Sequence, residues 1–286
     1  MKIAVASGKG GTGKTMVATN LAWVAARRGL DVAYVDCDVE EPNGRIFLRP
    51  SISHTDVVTV QIPQVDEAVC THCRECSEVC QFGAIACLGK GVVVFAELCH
   101  GCGGCSLACP AEAISEVSRG IGSVTTGRAG SIHFAQGTLN VGEAQSPPVI
   151  RAVKAAAAPA ELVIRDAPPG TSCPVIETLR DCDFVVLVTE PTPFGRHDLI
   201  LMVETVRTMK LPFGVVINRA GLGDSGVQRF CQDEGIRLLA VIRDDRGIAE
   251  AYSRGELMAQ SLPAYERVFV GLLEAVTREA TLAECA

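Results

Sequence analysis

The tightest constraint on the fold lies in the first 36 residues, where a glycine-rich octapeptide separates two kinds of apolar pattern. Residues 3–6 form a short apolar run, and Gly8-Lys9-Gly10-Gly11-Thr12-Gly13-Lys14-Thr15 follows. Residues 14–28 then carry a helical period, and a second apolar run at 32–35 ends in Asp36. Strand, glycine loop, helix and strand make a β-α-β unit, and the GxxxxGK[ST] spacing in that setting predicts a phosphate-binding loop. Glycines let backbone N–H groups turn toward phosphate oxygens, and the helix N-terminus adds the positive end of its dipole. Lys14 reaches the β- and γ-phosphates and Thr15 offers a hydroxyl to Mg²⁺. Gly8, Gly10, Gly11, Thr12, Gly13, Lys14 and Thr15 are therefore the expected nucleotide-binding residues.

The same alternation resumes after residue 147, with helices expected at 148–158, 196–209 and 225–234 and strands at 162–164, 184–188, 213–217 and 238–241. A closing helix is expected at 264–280. Near-continuous Val/Ile/Leu strands between helices are the pattern of a parallel sheet covered on both faces, so the expected fold is α/β with a mostly parallel sheet. Residues 119–146, rich in Gly, Ser and Thr with alternation around Ile132 and Leu139, read as a β-hairpin returning the chain to that sheet. Composition narrows the partners. Lys plus Arg number 26 against 33 Asp plus Glu, a formal charge of −7, which leaves little for the counterion release that drives nucleic-acid binding. No run approaches the ~18 apolar residues of a membrane span, and the N-terminal apolar stretch breaks into glycines too early for a signal peptide. A cytoplasmic protein without nucleic-acid or membrane partners is expected.

Between 64 and 118 the composition changes: seven acidic and two basic residues, and nine of the chain's 14 cysteines, eight of them in two repeats. CTHCRECSEVCQFGAI from Cys70 and CHGCGGCSLACPAEAI from Cys99 are one pattern repeated 29 residues on. Each repeat is CxxCxxCxxxC, the run of bacterial ferredoxins, in which three thiolates hold one cluster and the fourth ligates the other. The expected ligand sets are Cys70, Cys73, Cys76 with Cys109, and Cys99, Cys102, Cys105 with Cys80. Zinc is the competing occupant, since CxxC pairs suit it. Gln81 stands where proline follows the fourth cysteine of the second repeat. The expected organisation is a nucleotide domain in two parts, 1–63 and 119–286, around an inserted α+β ferredoxin-type domain at 64–118.

The second lysine of KGGTGKT, Lys9, resembles the deviant Walker A lysine of the MinD/ParA superfamily of P-loop ATPases. That resemblance implies an ATP-dependent homodimer with nucleotide at the interface, where Lys9 acts in trans; a solvated loop lysine is the alternative. It assigns Asp38, in the stretch DCDVEEPN, to the attacking water and Asp36 to the magnesium surroundings, and it makes Asp166, followed by Ala-Pro-Pro-Gly-Thr, a Walker B aspartate. Glu40, Glu41 and Asn43 look like switch-loop residues. Asn218-Arg219-Ala220-Gly221 lacks the lysine and aspartate of a guanine-reading NKxD, which points to ATP, with Asn218 and Arg219 near the base or Asn218 capping the next loop. Ile242-Arg243-Asp244-Asp245 resembles the family's IPxD loop with Arg243 in place of proline. Cys173, seven residues after Asp166, sits like a bridging cysteine of the nitrogenase iron protein, but 119–150 holds no second one, so it reads as structural. Cys37, Cys87, Cys182, Cys231 and Cys285 read as small buried hydrophobes.

As a whole the chain resembles a MinD-superfamily ATPase with an inserted two-cluster ferredoxin domain. The implied function is a slow, partner-stimulated ATPase coupling ATP and Mg²⁺ to electron transfer through two [4Fe–4S] clusters, with a redox partner whose docking face is basic. An iron–sulfur or metal-cofactor assembly and carrier ATPase is the alternative, although a labile CxxC outside the insert is missing. A positioning ATPase of the MinD or ParA kind would need a basic tail, whereas the tail from Tyr265 carries Glu266, Glu274, Glu279 and Glu284 against Arg267 and Arg278.

Overall fold

The computed structural model describes residues 1–89 and 91–284, so Cys285 lies outside the described residues. The first half of the chain comprises β1 (Lys2–Ala6), α1 (Lys14–Arg27), β2 (Val32–Asp36), α2 (Gly44–Leu48), β3 (Ser51–Val65), α3 (Glu75–Val79), β4 (Ile85–Leu88), β5 (Gly91–Val94), α4 (Gly104–Ala108), β6 (Ile114–Ala129) and β7 (Ile132–Leu139). The second half comprises α5 (Pro147–Ala156), β8 (Leu162–Asp166), α6 (Cys173–Leu179), β9 (Phe184–Thr189), α7 (Pro193–Thr208), β10 (Phe213–Ala220), α8 (Gly226–Asp233), β11 (Leu238–Arg243), α9 (Arg246–Ser253), α10 (Met258–Ser261) and α11 (Pro263–Glu284).

One nine-stranded sheet runs β11-β10-β9-β1-β8-β2-β7-β6-β3. Its strands are parallel from β11 to β7, and the last two pairings, β7 with β6 and β6 with β3, are antiparallel. Every residue of β2 and β9 is buried, which explains their unbroken apolar sequence: helices cover both faces. One face packs Leu21, Val24 and Ala25 of α1 against Phe269, Leu272 and Val276 of α11. The other buries Leu199, Met202 and Val206 of α7 with Val227 and Cys231 of α8. A third cluster sets Val149, Ile150 and Val153 of α5 on Val35, Val39 and Ile121. Among the described residues no helix is long and apolar enough to cross a membrane.

The sequence reading missed β3, and burial explains why. Its first seven residues are all exposed and mix polar with apolar side chains; alternation is confined to Val58, Val60 and Ile62, which are only half-buried, against exposed Thr59 and Gln61. β3 pairs with β6 from Ser51↔Arg128 to Val65↔Ile114. The Asp66 N–H then donates to the Ala113 carbonyl at 2.8 Å and closes the ribbon. The composition boundaries at 64 and 118 thus fall inside two paired strands, and the cysteine-bearing segment 66–113 hangs from the ribbon's end. The hairpin expected at 119–146 is β6 and β7, joined through Gly130 at φ +60.

Candidate functional site

The loop after β1 emerges between strands that end in carboxylates. Val5 of β1 lies beside Asp166 of β8, and Asp166 lies beside Asp36 of β2. Gly11 and Gly13 adopt φ +77 and +97, which side-chain-bearing residues rarely do. A Cβ on Gly13 would sit 2.4 Å from Asn218 Nδ2, and one on Gly8 would sit 2.3 Å from the Asp198 carbonyl oxygen. The glycines are therefore needed for close approach as well as for turning. Asn218, expected at the base or as a cap, donates its amide to the Thr12 carbonyl at 2.8 Å and pins the loop from β10. The loop opens on a cleft of about 350 Å³ that Lys14, Thr15, Asp38, Asn218 and Arg219 help to line.

Lys14 is buried, with Nζ 3.7 Å from Asp38 Oδ2. Burial raises the Asp38 carboxyl to about 6 against the pull of Lys14. Asp36 and Asp166 are fully buried. Burial and the neighbouring Asp166 charge hold Asp36 well above the ordinary carboxylate range. Asp166 is raised by burial, with Lys14 and the Thr15 hydroxyl pulling the other way. Tyr34, which sequence reading did not single out, donates its hydroxyl to Asp166 Oδ2 at 3.0 Å. Asp36 Oδ2 accepts from the Gly44 N–H at 2.8 Å. Asp166 Oδ1 and Thr12 Oγ1 are buried with no hydrogen-bond partner among the described residues. Paired acids, an unsatisfied carboxylate oxygen and the Thr15 hydroxyl are the hard oxygen donors that suit Mg²⁺.

Lys9 forms an ion pair with Glu190, whose other oxygen lies 3.4 Å from Arg219 Nη1. Glu190 carried no sequence signal beyond following a strand; its place at the end of β9, next to β1, brings it to the loop. Glu41 and Asn43 line the cleft, as do Arg243, Asp244, Asp245 and Tyr252 at its far side. Asp245 also caps α9, accepting from the Gly247 N–H at 2.7 Å. Cys173 is exposed at the start of α6, whereas Cys37, Cys182 and Cys231 are buried and their thiols are raised by burial.

The eight clustered cysteines separate into two cavities. Cys80, Cys99, Cys102 and Cys105 line one, together with the stacked rings of Phe82 and His100. Cys70, Cys73, Cys76 and Cys109 line the other, with Cys87 as a fifth thiol that spacing did not reveal. The sequence repeat is also a backbone repeat. His72, Arg74 and Gly83 have positive φ, and so do their counterparts 29 residues on, Gly101, Gly103 and Glu112. The Ala84 and Ala113 N–H groups donate to Cys80 and Cys109 Sγ at 3.3 Å each, again 29 residues apart. At Cys80, burial raises the thiol, but N–H groups of residues 82–85 outweigh it and the net shift is downward, toward thiolate. Glu67 and His72 have ligand atoms within 4.8 Å of Cys70 Sγ and of each other.

Two uncharacterised proteins of Methanocaldococcus jannaschii are similar to the chain, one 29% identical over 90% of each sequence and the other 34% identical over 78% of this chain and 80% of the relative. Among solved structures, the septum site-determining protein MinD of Pyrococcus horikoshii, complexed with Mg-ADP, superposes with TM-score 0.61 at 19% identity, covering 99% of this chain and 98% of its own. The Cyanothece McdA(D38A)–ATP complex gives 0.56 at 17%, over 96% of both. The CobQ/CobB/MinD/ParA nucleotide binding domain matches residues 3–258. With its phosphate loop, buried acids and parallel sheet spanned by that match, the chain belongs to the CobQ/CobB/MinD/ParA family of nucleotide-binding proteins.

Proposed function

We propose that the protein is a Mg²⁺-dependent ATPase, working as a homodimer with ATP at the interface, whose nucleotide state is coupled to electron transfer through two [4Fe–4S] clusters. The observation that carries the cluster half is the sorting of the eight repeat cysteines into two cavities in crossed sets, each lined by three cysteines of one repeat and the fourth of the other. The donor set suits the group: four repeat thiols at each cavity, with N–H groups aimed at sulfur and left-handed residues turning the backbone around it. The comparisons bear on the nucleotide half alone.

When bound, the clusters would supply one-electron chemistry. The chain's own part is to hold and shield them and to bind the nucleotide. Thr15, Asp36 and Asp166 would hold Mg²⁺ and its waters, Lys14 would neutralise phosphate, and Asp38 would orient the attacking water. Lys9, kept by Glu190 on its own protomer, would reach the partner's phosphates in the dimer. The negative charge of 64–118 favours a redox partner with a basic face and a salt-sensitive encounter. A second reading, a MinD/ParA-type positioning or carrier ATPase without electron transfer, is favoured by the fold likeness to MinD over nearly the whole chain.

Anaerobic purification with metal analysis separates the two. Two cubanes give about eight iron atoms per chain and a spectrum that changes on reduction. Zinc, or no metal, would overturn the cluster reading and leave the second.

A further inference from the structure

The two candidate sites are joined by one short stretch of chain, 139–145, which the nucleotide chemistry does not use. At its start the Leu139 N–H donates to the Val39 carbonyl at 2.8 Å. Val39 follows Asp38, the carboxylate beside Lys14, and is itself buried. Its side chain lies flush on β7: a Cβ added at Gly137 would meet Val39 Cγ1 at 2.6 Å. A shift of the Asp38–Val39 segment therefore presses directly on the end of β7.

At the other end, Gln145 donates its side-chain amide to the Cys99 carbonyl at 2.8 Å, 46 residues away in sequence. Cys99 is the first thiol of the cavity formed with Cys80, Cys102 and Cys105. Between these points the stretch is held to the ribbon. The Asn140 N–H donates to the Ile121 carbonyl at 2.9 Å, and Glu143 takes a two-pronged contact from the Arg119 guanidinium, whose second arm is 2.8 Å. Both side chains of that pair are largely buried. Such a charged two-point contact is directional and resists stretching. Among the described side-chain hydrogen bonds, Gln145 makes the one that ties a loop of the nucleotide domain to a cluster-cavity cysteine.

We infer that residues 139–145 link the nucleotide site to the Cys80/Cys99/Cys102/Cys105 cavity, with Gln145 positioning Cys99 according to the state of the Asp38–Val39 segment. The inference rests on the proposed cluster occupancy and adds a direction to it: nucleotide acts on this cluster and not on the one held by Cys70, Cys73, Cys76 and Cys109. Linkage makes the effect reciprocal, so reduction of that cluster changes nucleotide affinity by the same factor.

The test uses the full chain, purified anaerobically, in a redox titration followed by electron paramagnetic resonance with and without a non-hydrolysable ATP analogue and Mg²⁺. The expected result is that one of two signals moves, by about 59 mV if affinity for the analogue differs tenfold between oxidation states. In Gln145→Ala the movement is lost, while iron content and analogue binding stay at wild-type levels. Hydrogen exchange on the unaltered protein gives a second reading: the Leu139 amide should change protection on analogue binding. Wild-type protein without iron refutes the cluster reading itself. Iron-loaded wild type whose two potentials ignore the analogue, or a Gln145→Ala protein that keeps the full shift, refutes the link.

Discussion

Removing one of the two buried acids should make the nucleotide-free protein more stable. Asp36 and Asp166 are register partners on adjacent parallel strands, both fully buried, and in strands about 4.8 Å apart their charges have little to separate them. Two full charges ~5 Å apart repel by roughly 3 kcal/mol at an effective dielectric of 20. Asp166→Asn removes that repulsion and keeps an oxygen to accept from the Tyr34 hydroxyl, while its amide offers Asp36 a donor. At roughly 2 °C per kcal/mol for a chain of this size, the melting temperature in EDTA at pH 8 should rise by about 6 °C. The sign with pH follows from the raised carboxyls. Folding retains protons that the unfolded chain has already lost, so wild-type stability is highest near the ordinary carboxylate range and falls as pH climbs through the folded values. The Asn variant should lose most of that slope. It should also lose the gain from Mg-nucleotide, which for wild type at a hundredfold excess over Kd is about 2.7 kcal/mol. The assay is anaerobic thermal unfolding followed by far-UV circular dichroism, with and without Mg-ADP. A variant that melts below wild type in EDTA, or that gains as much from Mg-ADP, would refute the reasoning.

Three further outcomes are expected. Lys14→Ala should abolish nucleotide binding, whereas Lys9→Ala should bind ATP normally and hydrolyse it about 10²-fold more slowly, the loss typical of one transition-state donor; an unchanged rate in Lys9→Ala dismisses the trans role. Because the thiol sets cross, Cys109→Ala and Cys73→Ala should remove the same cluster and Cys80→Ala the other, each taking iron from about eight to about four per chain. If Cys109→Ala instead matches Cys102→Ala in the signal it removes, the crossing is wrong. With the Asp38 carboxyl raised to about 6, kcat/KM for ATP should fall as pH drops below that value, since the protonated acid cannot accept from the attacking water; a flat profile between pH 5 and 8 removes Asp38 from that role.

The parallel core was legible because its strands are buried on both faces and are dominated by Val, Ile, Leu and Ala. The phosphate loop was legible because close approach admits only glycine at Gly8 and Gly13. Tyr34 and Glu190 were not, because their roles depend on which strands become neighbours. Tyr34 matters only once β8 lies beside β2, and Glu190 only once β9 lies beside β1. Asn218 was seen, but its bond to the Thr12 carbonyl was not, because that bond spans 206 residues. β3 escaped notice because its first seven residues are exposed and its alternation, at Val58, Val60 and Ile62, spans only a short stretch. The grouping of thiols from both repeats around each cavity could be anticipated only from the ligand spacing known for paired clusters, since nothing in composition or periodicity marks it.

That ribbon also makes the cysteine segment a removable cassette. β3 is buried only at Pro63 and β6 only at Ile121, Gly122 and Val124 in its inner half, so the sheet beneath does not depend on what the far ends of the ribbon carry. Cutting at the Gln61↔Ser118 pair and joining the strands through Asn-Gly, a turn suited to a two-residue hairpin, deletes residues 62–117 while keeping Ile121 and the core it packs in. The same geometry lets an unrelated module be grafted in that place without disturbing β1, β2 or β8. Gain or loss of the cysteine segment in a lineage would then require one excision at a hairpin and no redesign of the nucleotide fold.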